Sequence, residues 1–226
     1  MTQPQPEKEP QPKKEPQPKK APPPKSRHID IPLFPLQTVL FPGGRLPLRI
    51  FEPRYVSLIS NCLKRSQGFG VVLIREGSDS RVQDEQSPEI FNIGTYAEIV
   101  DFNQLSDGLL GIIAQGKQKF RILRKYELPD HLLMAEAEFL PNEAHTPLNN
   151  MHADMVEILR ELTKHPLVLK LKKQMKFDID FDDASSVGLR LAELLPLEPE
   201  AKQSLLQLNQ PRERLCEIAR MLDEMN

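Results

Sequence analysis

Only two cysteines occur, Cys62 and Cys216, far apart and in no CxxC pair. That excludes zinc sites built on four cysteine-type ligands, and a single bridge would not make a secreted disulfide scaffold. Cys62 falls on an apolar helical face, where a buried thiol fits best. Long apolar runs are also missing. Stretches such as Val71–Ile74 and Ile112–Ala114 are far too short to cross a bilayer. The N-terminus carries charge but lacks the apolar segment of a secretory signal. A soluble cytoplasmic chain is expected.

Hydrophobic residues make up 39% of the 226, which is low, and the shortage is local. Residues 1–28 hold six Lys, one Arg and three Glu, a net +4, and almost nothing apolar. Against −2 for the whole chain, residues 29–226 therefore carry −6. A folded part of that sign is poorly suited to phosphate backbones, so nucleic acid is disfavoured as a partner. The hexamer Glu-Pro-Gln-Pro-Lys-Lys occurs at 9–14 and again at 15–20. Proline fixes φ and removes donors, and there is no apolar face to bury, so 1–28 is expected to be a disordered tail. No two of its prolines are three apart, which excludes a PxxP ligand. A solvated spacer is favoured over a basic tether.

Order is expected from Ile29. Ile31–Leu36, punctuated by Pro32 and Pro35, reads as an edge strand or extended arm. Phe41–Gly44 is a turn, and Leu46, Leu48 and Ile50 alternate as in a half-buried strand. Pro53–Arg65 is the clearest helix of the first half. Pro53 suits its first position, Tyr55, Leu58, Ile59 and Cys62 form its stripe, and Lys64, Arg65 and Gly68 close it. Each large side chain fully buried on that stripe stabilises by roughly 1.5–3 kcal/mol. Strands follow at Phe69–Arg75, Gly94–Phe102, Gly108–Ala114, Lys119–Leu128 and Leu132–Phe139, with a polar loop at 76–89. This pattern predicts a mostly antiparallel, barrel-like sheet. Beyond Pro141 the pattern is helical: Met151–Leu162, Val187–Leu195 capped by Ser185 or Ser186, Glu198–Leu208 and Pro211–Met225.

Several motifs fail on inspection. Gly111–Gln118 nearly fits a phosphate-binding loop, but Gln118 stands where a magnesium-binding hydroxyl belongs, and a β-turn is expected there. Asp178–Asp183 opens like a calcium loop but has Asp183 and Leu189 where Gly and Glu are required; an acidic lead into the next helix is the better reading. Gly68-Phe-Gly70 lacks the third glycine of a dinucleotide fingerprint. Five histidines form no HExxH, and there is no GxSxG. No cofactor, metal or catalytic residue is expected.

Two local clusters admit a binding role. Phe51-Glu52-Pro53-Arg54-Tyr55 places Glu52, Arg54 and Tyr55 at the rim of a cleft between sheet and helix. The competing reading, which is favoured, makes Glu52 a helix-dipole partner, Arg54 its ion-pair mate and Tyr55 core. Phe34 to Phe41 offers a binding edge or a core lining, with core favoured. The candidate site residues are Phe34, Phe41, Phe51, Glu52, Arg54 and Tyr55.

The order of motifs resembles the N-terminal domain of Lon proteases. Ile31-Pro-Leu-Phe-Pro-Leu-Gln-Thr-Val-Leu-Phe-Pro42 is similar to its opening, and Leu46–Tyr55 resembles the form in short stand-alone bacterial members. Gly94–Ile99, Asp107-Gly108, Gly116 with Lys119–Ile122, and Ala135–Glu138 resemble its later strands. Leu191–Leu195, Lys202–Leu206 and Arg212–Leu215 resemble its helical end. The resemblance implies an α+β fold, a PUA-like β pseudo-barrel over 29–141 followed by a C-terminal helical bundle over 142–226. It also implies a non-catalytic, stand-alone domain binding unfolded or extended polypeptides or a protease component, linked to proteolysis or quality control. An RNA-binding PUA-like module or a small-molecule sensor are the alternatives. Oligomeric state is not set by the sequence.

Overall fold

The computed structural model describes residues 28–77, 87–149, 152–166, 168–169 and 179–225. Expectations for the N-terminal tail, for most of the 76–89 loop and for Asp178 lie outside these residues. Seven strands and five helices are described: β1 His28–Leu36, β2 Arg45–Ile50, α1 Pro53–Arg65, β3 Phe69–Glu76, β4 Glu89–Ile90, β5 Ile93–Gln104, β6 Leu110–Glu127, β7 Leu133–Phe139, α2 Ala153–Lys164, α3 Ala184–Leu194, α4 Pro199–Gln207 and α5 Pro211–Met225. His28, expected in the tail, is the first residue of β1.

The strands form one mixed sheet in the order β1-β7-β6-β5-β3-β4, with β2 beside β6 and a further pairing of β1 with β3. That last pairing is parallel and the others are antiparallel. It closes the circuit β1-β7-β6-β5-β3. The expected edge strand at 31–36 is corrected: His28 to Pro32 pair with β7, then Leu33 to Leu36 pair with β3. The strand changes partner at Pro32, where a missing donor costs least.

The expected turn between Ala114 and Lys119 is also corrected, since β6 runs unbroken for 18 residues. It carries β5 along one edge, and β2 followed by β7 along the other. Register shifts at Tyr96/Ala97, Ile99/Asp101 and Ile122/Arg124 supply the bends. Gly116 marks a close approach of backbone, not a turn. The 41–44 turn bonds to it twice, Gly43 N to its carbonyl at 2.8 Å and its N to Gly44 O at 2.9 Å. A Cβ on Gly116 would stand 2.4 Å from Phe41 O.

Among the described residues, three apolar clusters form the core. Ile31, Leu33, Val72, Phe120 and Ala135 belong to one shared by β1, β3, β6 and β7, with Ile90 of β4. A second lies under α1, where Tyr55, Leu58, Ile59 and Cys62 meet Phe34, Phe69 and Ile112. The third joins Val39, Phe41 and Leu73 to the helices through Leu191, Leu205, Leu215 and Ile218. Helices α2, α4 and α5 pack on α3. The cap of α3 is Asp183, not Ser185 or Ser186; its carboxylate accepts from both of those amides, as an acidic lead into a helix should. Both cysteines are free thiols, and burial pushes that of Cys62 up to about 11. No described helix is long and apolar enough to cross a membrane.

Candidate functional site

The β2–α1 junction sets the site. Ile50 ends β2 buried, and Pro53 starts α1 two residues beyond Phe51. The chain must turn within Phe51 and Glu52, which leaves Phe51 60% exposed. Below it lies a cleft of about 150 Å³. Phe34 and Leu36 of β1, Leu48 and Ile50 of β2, and Tyr55 of α1 give it an apolar lining, with Arg49, Phe51 and Glu52 at the lip. Phe34 and Tyr55 stack at 4.1 Å between centroids, and Phe34 lies 5.8 Å from Phe69. Those contacts fix both rings before anything enters.

Arg54 braces the cleft. Its guanidinium pairs with Glu52 through Nε at 2.9 Å and Nη2 at 2.8 Å, and sits 4.6 Å from the Tyr55 centroid. Nη1 donates to His131 O at 3.1 Å, tying α1 to the β6–β7 turn. His131 itself holds a left-handed φ of 66°. Glu52 occupies the N-cap position of α1 without a side-chain cap bond, so its carboxylate serves Arg54. The lip is charged but internally paired, and Arg49 pairs with Asp107.

Of the six residues singled out in the sequence, Phe34, Phe51, Glu52 and Tyr55 line one cleft and Arg54 supports it. Phe41 stands apart, 1% exposed in the core facing the helices. A larger hollow of about 540 Å³ runs along Asp154, Glu157, Ile158, Glu161, Leu162 and His165. All its described lining comes from α2 and its C-cap residue His165, so no second described element fixes its shape.

A second polar centre escaped the sequence reading. Lys119, Glu143 and Arg214 are buried together where sheet meets helices. Its one local signal is Arg214, a cation in the first turn of α5, where the helix dipole disfavours it. Among the described residues, no group of three or more His, Cys, Asp or Glu side chains is placed to hold a metal ion.

The family profile of the ATP-dependent protease La (LON) substrate-binding domain matches residues 30–224. The chain belongs to the Lon substrate-binding domain family. Lon protease of Escherichia coli strain K12 is 24% identical over 204 residues, covering 88% of this chain and 25% of that protein. Lon protease 2 of Herpetosiphon aurantiacus is 25% identical over 202 residues, covering 87% and 24%. The chain thus spans about a quarter of the length of the Lon proteases it matches. The crystal structure of a Lon N-terminal domain protein from Xanthomonas campestris superposes with a TM-score of 0.69 at 31% identity, covering 85% of this chain and 98% of that one. The N-terminal domain of Mycobacterium avium complex Lon protease, at 15% identity and a TM-score of 0.57, shares the fold. The fold is that of a Lon N-terminal domain. Every residue of the cleft lies within the span matched by the Lon family profile.

Proposed function

We propose that this chain is a non-catalytic recognition domain that takes an extended or unfolded polypeptide at the Phe34–Tyr55 cleft and serves proteolysis or protein quality control. The observation that carries the reading is the family match over 30–224, with a preformed apolar cleft inside it. A cavity of about 150 Å³ is of a size that takes a benzene ring, the scale of one large apolar side chain. Phe51 at its lip adds an aromatic surface of the kind enriched in binding hot spots.

Side-chain insertion is favoured over strand addition. Among the described residues β2 pairs only with β6, but its outer edge carries Pro47, Arg45 and Arg49. The end of β5 is blunted too, because the Phe102 amide donates to its own neighbour Asp101 at 2.9 Å. Proline, charge and a self-bonded amide are the devices that stop an edge strand from pairing. The same reading takes the closed strand circuit as a PUA-like pseudo-barrel over 29–141 and α2–α5 as a C-terminal bundle over 142–226.

The test is calorimetry and fluorescence anisotropy of the purified chain with a permanently unfolded polypeptide and with a Lon-type protease. Saturable binding that Phe51→Ser weakens is the expected result. No affinity for either partner sinks the proposal.

A further inference from the structure

Glu143 lies outside regular structure, between β7 and α2, yet its side chain is buried. Arg214 donates to both its oxygens, from Nη1 at 2.9 Å and Nη2 at 2.5 Å. Ser185 Oγ at 2.6 Å and Lys119 Nζ at 3.2 Å complete the set. The two cations also hold the α4–α5 turn. Arg214 donates to Leu205 O and Leu208 O, at 3.0 and 2.7 Å. Lys119 donates to Leu206 O, Leu208 O and Asn209 Oδ1 at 3.2, 2.7 and 3.1 Å. One carboxylate therefore joins β6, α3, α5 and the turn before α5.

The other charged groups nearby are engaged elsewhere. Lys117 and Asn142 line the adjoining cavity of about 230 Å³, and Lys117 pairs with Glu98. Asp183 accepts from the amides of Thr146, Ser185 and Ser186. On one side, Leu140 is fixed to β6 by its amide on Lys119 O and by Gln118 on its carbonyl. On the other, Thr146 and Leu148 are fixed to the lead into α3. Between these anchors, Glu143 supplies the buried ties that bring residues 141–145 onto the seam, beside an exposed contact of His145 Nε2 with Asp180 at 3.9 Å.

We propose that Glu143 is an acid-sensitive latch: ionised, it holds residues 141–145 and the α4–α5 turn against β6, and neutralised, it releases both while the sheet stays paired. Neutralisation leaves Lys119 and Arg214 buried side by side with no counter-charge among the described residues, an arrangement with a large desolvation cost. The strand ladders use none of these groups, so they persist. Burial pushes the Glu143 carboxyl up, but Arg214, Ser185 and Lys119 together hold it below the usual value. Lys119 is also lowered, by burial and by Arg214 despite Glu143, so its shift disfavours its charged form whereas that of Glu143 favours its ionised form. The carboxylate's direction describes the latch, because Glu143 is shared by three donors while Lys119 is held largely by carbonyls.

Hydrogen exchange on the full chain tests this. In Glu143→Gln at neutral pH, amides of 205–207 at the end of α4 and that of Arg214 on Gln210 O are expected to exchange on the order of 100-fold faster, and the chain at 141–145 to become open to protease, with β5–β6 unchanged. Uniform acceleration across sheet and turn, or none, overturns the latch. If Glu143→Gln does not fold, exchange along an acid titration of the native chain decides. Release of the two segments at a higher pH than the sheet supports the latch, and simultaneous loss overturns it.

Discussion

The cleft beside α1 and the seam beneath α5 both combine charge with apolar surface, but in opposite order. At the cleft Phe34, Ile50 and Tyr55 are largely buried walls around an unfilled space, Phe51 stands exposed over it, and the charges are paired at the lip. At the seam the charges are innermost: Arg214 is 0% exposed and each of its three side-chain nitrogens has a partner. Unfilled apolar surface gains by accepting another apolar group. A saturated buried ion cluster gains nothing from a new partner and loses heavily when one member is removed. The first arrangement suits binding and the second suits holding.

The sharpest way to break this comparison is Arg214→Met. It leaves Glu143 with Lys119 as its one cation beside the Ser185 hydroxyl and drops the bonds to Leu205 O and Leu208 O. A loss of about 3–5 kcal/mol in unfolding free energy by urea titration is expected, with binding per folded molecule unaltered. A loss near zero would mean that apolar packing alone holds the seam.

The pH profile is the next largest effect. A carboxylate held below its unfolded value of 4.5 contributes stability that is complete above that pH. This contribution disappears as pH falls through the lower folded value. Unfolding free energy measured from pH 7 to pH 3 should therefore drop below about 4.5. Glu143→Gln should be less stable at neutral pH and lack that part of the drop. An unchanged slope in the variant would assign the acid loss to other carboxylates.

The cleft was more legible in the sequence than the seam for a physical reason. Its parts are local: Pro53 at the helix start, the Tyr55–Leu58–Ile59–Cys62 stripe and the alternation in β2 all act within a dozen residues. Helix α1 accordingly spans the residues expected, with the expected four side chains buried. The paired reading of Glu52 and Arg54 and the cleft reading both describe parts of one geometry. The seam instead joins positions 119, 143, 185 and 214, and nothing local links a strand lysine to a loop glutamate. The misjudged turn at Gly116 has the same origin, since the backbone that requires glycine there is Phe41–Gly44, some seventy residues earlier. Strand β1 looked like an edge because Pro32 and Pro35 are local, whereas its change of partner is not.

Arg54→Lys tests the brace at a smaller scale. Lysine keeps the charge beside Glu52 but loses the planar fork that reaches Glu52 and His131 O while lying near the Tyr55 ring. About 1 kcal/mol of stability should be lost in thermal unfolding, with a modest fall in polypeptide affinity. Equal stability of the two proteins would reduce Arg54 to a surface charge.

The smallest effect on stability, and the one that best separates binding from holding, belongs to Phe51→Ser. The ring is mostly in solvent, so its removal should shift unfolding by no more than ~0.5 kcal/mol. An aromatic at the lip of an apolar cleft nevertheless adds contact surface when a chain is bound, and its loss should weaken affinity about tenfold. The pair of measurements constrains the site from both sides. A large stability loss would show that Phe51 belongs to the core, and unchanged affinity would move recognition away from this cleft. Near-native stability with weakened binding is the outcome that an open apolar cleft with a paired lip demands.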